Sequence, residues 1–265
     1  MLRGLYTSAS GMLTEQRVQE MRSNNIANTD TTAFKKDMSV KSSFSEMMLS
    51  RINDPKQLGP EGPEVDLRPE IGELGTGVVL EEVVNDFSQG TLKETDNPLD
   101  IALDGAGFFV VQGPDEKVLF SRNGSFTQAP DGSLVNQQGY PVLGSEGLIQ
   151  LSDQDNITIS SDGSIYQDEE LVDNLIVADF EEPQGLSRFG ENLLEQTEES
   201  GEPQQANMEK VSVKQGYLEG SNVSAVKEMT GMIEALRAYE SNQRAVQGHD
   251  ETLERAVNEL GRPAN

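Results

Sequence analysis

Along residues 229–260 a seam position recurs at alternating steps of three and four: Met229, Met232, Leu236, Tyr239, Gln243, Val246, Asp250, Leu253, Val257 and Leu260. Eight of these ten are apolar, and charged residues such as Glu234, Arg237, Glu240 and Arg244 fill the gaps. The spacing predicts a helix with a narrow apolar line that packs on another helix. Residues 2–27 repeat it at Leu2, Leu5, Ala9, Met12, Gln16, Gln19, Ser23 and Ile26, free of proline, before the polar run Asn28-Thr-Asp-Thr-Thr. With Gln16, Gln19 and Ser23 on its seam, the first helix is marginal alone and gains stability on packing. The two ends read as halves of one coiled coil, and function is expected there.

Between the ends the period changes. A short second helix is predicted over 43–52, followed by a proline- and glycine-rich linker from Asp54-Pro55 to Pro69. From Thr76 to about Val177 come short apolar runs: Val78-Val-Leu, Leu99-Asp-Ile-Ala-Leu, Phe108-Phe-Val-Val, Val118-Leu-Phe, Leu134-Val, Ile157-Thr-Ile and Leu175-Ile-Val. The pairs Asn123-Gly124, Asp131-Gly132 and Asp162-Gly163 punctuate them with residues suited to the positive φ of tight hairpin turns. Residues 181–210 read as an extended return path. The last helix is expected to be capped by Ser221-Asn222 and to stop at Gly261, with Pro263 beyond. The fold class is therefore mixed α and β: an all-β central module of short strands with long N- and C-terminal helices that pair as a coiled coil on assembly. The expected divisions are a helix over 1–36, a linker or specialised segment over 37–71, the β module over 72–210, and the second helix over 211–265.

Charge sharpens this layout. The formal net charge is −26 over 265 residues. Residues 1–36 hold five basic and three acidic side chains and residues 211–265 six basic and eight acidic, so the middle carries the whole excess. Near-neutral ends can meet copies of themselves, whereas the acidic middle prefers water and disfavours nucleic acid or an anionic membrane. A hydrophobic share of 35% and a mean hydropathy of −0.52 indicate thin-cored modules. Opening on Met1-Leu-Arg-Gly-Leu, the chain has no secretory-type apolar run, and composition alone would place it in the cytoplasm.

Candidate chemistry is sparse. Cysteine is absent, and the one histidine, His249, is expected on the solvated surface of the last helix. No Gly-x-Ser-x-Gly elbow occurs. Gly75-Thr-Gly77 and Gly105-Ala-Gly107 lack the third glycine of a dinucleotide fingerprint and read as strand and turn glycines. Asp153-Gln-Asp155 lacks the partners of a calcium loop. With 46 acidic residues, a carboxylate pair carries no information until its separation is known. We expect no catalytic residues, no metal site, no cofactor, no nucleic-acid partner and no small-molecule substrate.

Three blocks are more specific. Leu5-Tyr-Thr-Ser-Ala-Ser-Gly-Met with Ser23-Asn-Asn-Ile-Ala-Asn-Thr-Asp-Thr-Thr-Ala-Phe-Lys-Lys36 resembles the N-terminal signature of the flagellar rod and hook protein family. Thr95-Asp-Asn-Pro-Leu-Asp-Ile-Ala-Leu-Asp-Gly-Ala-Gly-Phe-Phe-Val-Val111 with Ser121-Arg-Asn-Gly-Ser-Phe126 is similar to its β module, and Gln215-Gly-Tyr-Leu-Glu-Gly-Ser-Asn-Val223 with Glu228–Asn242 to its terminal helix. The resemblance covers about 1–36 and 72–260. It implies a structural, non-enzymatic subunit of the bacterial flagellar basal-body rod, of distal-rod type with the proximal-rod type as nearest paralogue. Such a subunit polymerises with itself, joins other rod and hook proteins and transmits torque. It also implies export through the flagellar type III apparatus without a cleaved signal, and a final location in the basal body.

On this reading the assembly interface comprises Leu2, Leu5, Ala9, Met12 and Ile26 with Met229, Met232, Leu236, Tyr239, Val246, Leu253, Val257 and Leu260. The motif residues are Asn24, Asn25, Ile26, Ala27 and Asn28 with Gly216, Glu219, Ser221, Asn222 and Val223. The family pattern has glycine where this chain has Ala33, so a left-handed backbone there would cost about 1 kcal/mol. The alternative reading is a non-catalytic β-rich binding or capping module with a self-paired helical stalk, such as a proximal-rod or hook subunit.

Overall fold

The computed structural model describes residues 2–52, 55–57, 64–66, 68–152, 156–190, 192–207 and 210–260. It is mixed α and β, with two long helices, α1 (Leu2–Ala27) and α2 (Ala225–Leu260), and a β-rich stretch between them in sequence. The chain forms two compact units: Met1–Ser23 with Met38–Val83 and Met229–Asn265, and Asn24–Asp37 with Val84–Glu228.

In the first unit the helix expected over 43–52 is instead the strand Asp37–Ser50, which forms a two-stranded sheet with the 16-residue strand Glu70–Asn85. The serine-rich, aromatic run Ser42-Ser43-Phe44 has weak helix propensity, and an available partner strand decides the matter. Part of the expected linker is ordered as well, with Pro55–Gln57 paired to Glu64–Asp66. The boundary expected at 72 falls within the strand Glu70–Asn85. Short hydroxyl side chains tie α1 to that strand. Thr7 Oγ1 donates to the Thr76 carbonyl at 2.8 Å, Thr14 Oγ1 to the Val78 carbonyl at 3.1 Å, and the Val78 N–H donates to Ser10 Oγ at 3.3 Å.

The second unit is built on a six-stranded antiparallel sheet in the order Ser187–Phe189, Leu193–Glu195, Val118–Ser121, Phe108–Gln112, Val177–Asp179, Gln204–Gln205. Neighbouring residues along a strand point to opposite faces. Phe109, Val111 and Leu119 therefore enter one buried cluster, with Ile101, Leu103 and Phe126, while Phe108, Val110 and Phe120 enter another with Phe180 and Leu194. Both faces are covered, which explains why these strands read as continuous apolar runs. The expected return path over 181–210 contributes three strands of this sheet.

Two of the three turn pairs behave as expected, since Gly132 and Gly163 both have φ +86°. Asn123-Gly124 does not make a hairpin turn. Gly124 is buried where the backbone passes the carbonyl of Ile101, with which any Cβ would collide. The glycine there permits close approach, and the Ile101 N–H donates to the Gly124 carbonyl at 2.9 Å. Helix α2 starts at Ala225, three residues after the expected cap, with the Glu228 N–H donating to the Ser224 carbonyl at 3.0 Å. Gly261 and Pro263 lie outside the described residues.

Candidate functional site: a helix-pairing face and a buried junction

In the first unit, α1 and α2 pair antiparallel within one chain, at glycines. A Cβ at Gly4 would stand 2.5 Å from Nε2 of His249, and one at Gly11 would stand 2.7 Å from Nδ2 of Asn242. A Cβ at Gly231 would overlap the guanidinium of Arg22. The register is unbroken: Gly4 to Gly11 and His249 to Asn242 are both seven residues, and Gly11 to Arg22 and Asn242 to Gly231 are both eleven. Steps of seven and eleven keep one helix face in view over two and three turns. Buried Val18 and Ala235 fall on the same register. His249, expected on a solvated surface, is half-buried against Gly4.

The predicted seam residues divide accordingly. Leu5, Ala9, Met12, Ile26, Met232, Tyr239, Val246 and Leu253 are half-buried, while Met229, Leu236 and Val257 are exposed at 51%, 46% and 73%. The inward positions of α2 include Gly231, Ala235, Asn242 and His249, each one residue before an expected seam position, Met232, Leu236, Gln243 and Asp250. The side chains of Leu2 and Leu260 lie outside the described set.

The motif residues converge in the second unit. Asn25, fully buried, bonds the backbone of Asp37 twice: its Nδ2 donates to the carbonyl and its Oδ1 accepts from the N–H, both at 2.9 Å. Asn28 Nδ2 donates to the Asn24 carbonyl at 2.9 Å, closing the end of α1. Asn24 and Ala27 are exposed, and Gly216 turns with φ +74°. Asn222 Oδ1 accepts from the Lys36 N–H at 2.8 Å and its Nδ2 donates to the Asp86 carbonyl at 2.7 Å. Ser221 Oγ accepts from the N–H of buried Val223. Glu219, 1% exposed, accepts from Lys35 Nζ at 2.6 Å and from the Gly90 N–H at 2.8 Å. Its other oxygen lies 3.5 Å from Nη1 of buried Arg122. Arg188 Nη2 reaches Asp37 at 2.6 Å and Asn85 Oδ1 at 2.7 Å, with its guanidinium over the Phe34 ring.

Burial is the main influence on these charges. It lowers the Lys35 ammonium below its ordinary 10.5 despite the attraction of Glu219, lowers Arg122, and raises Asp37 against the pull of Arg188. Burial also pushes Asp86 up, yet hydrogen bonds from Ser88 and the ion pair with Lys36 hold its carboxyl below 3.8. A carboxylate with a lowered folded value stabilises fully above 3.8 and loses that contribution as pH falls through the folded value. Asp86→Asn is thus expected to cost about 0.5–1 kcal/mol at neutral pH and progressively less as the pH falls below 3.8, measured by urea unfolding. Ala33 has φ +57°, and its N–H donates to the Glu219 carbonyl at 2.7 Å. Ala33→Gly should raise stability by about 1 kcal/mol, measured as the thermal midpoint, because the strain disappears and the contact stays.

Lys35 and Arg122 stand inside the quoted motif blocks, yet nothing in their spacing marks them as ion-cluster members; Arg188 carries no sequence signal at all. Among the described residues no group of three or more His, Asp or Glu could hold a metal ion, and no helix is long and apolar enough to cross a membrane. Asp153 and Asp155 lie outside the described residues. The arrangement offers packing surfaces and a rigid clamp.

Three family models match in chain order: the flagella basal body rod protein over 5–35, the flagellar hook protein FlgE/F/G D1 domain over 102–167, and the flagellar basal body rod FlgEFG protein C-terminal region over 214–259. The chain is 36% identical to the flagellar basal-body rod protein FlgG of Agrobacterium fabrum, covering 94% of this chain and 96% of that protein. It is 35% identical to the flagellar hook-basal body complex protein FlhO of Bacillus subtilis, covering 99% and 100%. It is also 35% identical to FlgG of Borreliella burgdorferi, covering 96% and 97%.

Proposed function

Because the chain belongs to the flagellar basal-body rod and hook protein family, we infer that it is a structural, non-catalytic subunit of the basal-body rod, of distal-rod type. One observation carries this reading: the helical pair meets at Gly4, Gly11, Gly231 and Ala235 and leaves a set of large apolar residues exposed. Val226, Met229, Ile233 and Leu236 form a stripe on α2 at steps of three and four, exposed at 76%, 51%, 52% and 46%. Tyr6 and Leu13, two turns apart on α1, are 69% and 65% exposed. Water disfavours such an apolar stripe, and neighbouring copies in a helical tube would cover it. The chain is exported through the flagellar type III apparatus, joins other rod and hook proteins, and polymerises so that many helical pairs resist torsion together. Assembly residues then include the exposed Met229, Leu236 and Val257, and the half-buried Leu5, Met12, Met232 and Val246 hold the pair itself.

Antiparallel register within a single chain also favours the second reading, a capping or proximal-rod subunit with a self-paired stalk. The combined variant Met229→Glu, Ile233→Glu, Leu236→Glu separates the two. Exposed sites leave monomer stability within about 0.5 kcal/mol per site. The rod reading expects this variant to be exported and folded yet unable to sediment as polymer or restore motility. Full motility would favour the capping reading.

A further inference from the structure

In the first unit, α1 and the two-stranded ribbon of Asp37–Ser50 with Glu70–Asn85 enclose a groove of about 350 Å³ lined by Arg3, Tyr6, Ser10, Phe44 and Thr76. Its open lining is almost wholly apolar. The polar groups of its floor are spent. Ser10 Oγ donates to the Thr7 carbonyl at 2.8 Å and accepts from the Val78 N–H, and the Thr76 carbonyl accepts from Thr7 Oγ1. A small polar ligand finds no handle on that floor, whereas an apolar side chain would cover the rings of Tyr6 and Phe44, which are 69% and 52% exposed. Arg3 stands at the groove, exposed and without an ion pair among the described residues.

The surface that matches it is the stripe Met229, Ile233, Leu236, continued one turn later by Glu240, which is exposed and likewise without an ion pair among the described residues. Within one chain the two do not meet. Met229 and Ile233 each stand two residues, about 200° around α2, from Gly231 and Ala235 on the face turned to α1. With His249 against Gly4, Glu240 lies nine residues, about 14 Å, along α2 from the level of Gly4.

We propose that the groove of one copy receives the Met229, Ile233 and Leu236 stripe of a second copy, with Glu240 of that copy facing Arg3. Resting on the rod-subunit reading, this pairing puts groove and stripe on different surfaces of each subunit, so the contact runs head to tail and propagates instead of closing as a two-fold dimer. The opposite charges at its edge set the register.

The natural chain has no cysteine, so a cross-link reports only the positions chosen. Basal bodies are to be purified from strains carrying Arg3→Cys with Glu240→Cys, or either change alone, and treated with a bismaleimide of two-carbon spacer. The expected result is a ladder of covalent dimers, trimers and longer chains from the double variant and monomer alone from each single variant. Dimers from Glu240→Cys alone would mean that stripe packs on stripe, and would overturn the proposal. Particles that contain the double variant but yield no ladder would overturn it and leave the rod reading standing; absence of the chain from the particles would overturn both. Arg3→Glu and Glu240→Arg should each reduce swimming, and together restore it; a loss that the charge swap does not recover would also count against the pairing.

Discussion

Replacing Glu219 by alanine is expected to lower the stability of the chain by about 3–5 kcal/mol. The loss is larger than one ion pair because the carboxylate does three things. It holds Lys35 at 2.6 Å, accepts from the Gly90 N–H at 2.8 Å, and lies opposite Arg122 in a site where it is itself 1% exposed. Its removal leaves two buried cations without their nearest counter-charge. Thermal unfolding of Glu219→Ala should therefore show a midpoint roughly 6–20 °C below that of the parent. The isosteric Glu219→Gln keeps an acceptor but not the charge, and should lie close to the alanine variant. Adding Lys35→Met to Glu219→Leu should recover only part of the loss, because it removes one of the two stranded charges and leaves Arg122. A Glu219→Ala midpoint equal to that of the parent would show that the cluster carries no stability.

Gly11→Leu is the second large effect, and it acts on assembly more than on folding. At Gly11 the added side chain meets Asn242 at once, with the Cβ 2.7 Å from Nδ2. Overpacking costs about 1–3 kcal/mol, and the functional consequence is a helical pair held apart along its length. A strain carrying Gly11→Leu is expected to be non-motile on soft agar. Asn242→Gly in the same chain returns the space on the other helix and should restore part of the swimming. Gly248 is the built-in control: nothing lies within 4 Å of a Cβ there, so Gly248→Ala should stabilise the helix by about 1 kcal/mol and leave motility intact. Equal effects at Gly11 and Gly248 would rule out close pairing.

Much of the architecture was legible because it rests on local signals. Short apolar runs marked the three central strands of the six-stranded sheet but not the three contributed by 181–210, and the seam spacing located both long helices. The seam's phase was harder to read. Apolar residues were assigned inward by the hydrophobic rule, but Gly231 and Ala235 face α1 while Met229, Ile233 and Leu236 face out. In a subunit destined for further packing, large apolar groups on the outer face do not signal a core, and a lone chain gives no means of distinguishing the two. The strand Asp37–Ser50 was missed because its pairing with Glu70–Asn85 is a long-range fact. The ion cluster was invisible for the same reason: Lys35 and Glu219 stand 184 residues apart. The Ala33 strain, by contrast, was readable from one departure in a motif, and φ +57° is its counterpart in the fold.

Two passages of the chain, 33–37 and 219–223, run past one another at the junction. They are joined by Ala33 to the Glu219 carbonyl, Asn222 to the Phe34 carbonyl, Lys36 to Asn222 Oδ1, and Lys35 to Glu219. Bonds arranged side by side between two strands share a tensile load and fail together, whereas bonds arranged like a zip fail one at a time. Four bonds between the same two short passages are expected to stiffen the junction against shear, a mechanical property that the free energy of unfolding does not measure.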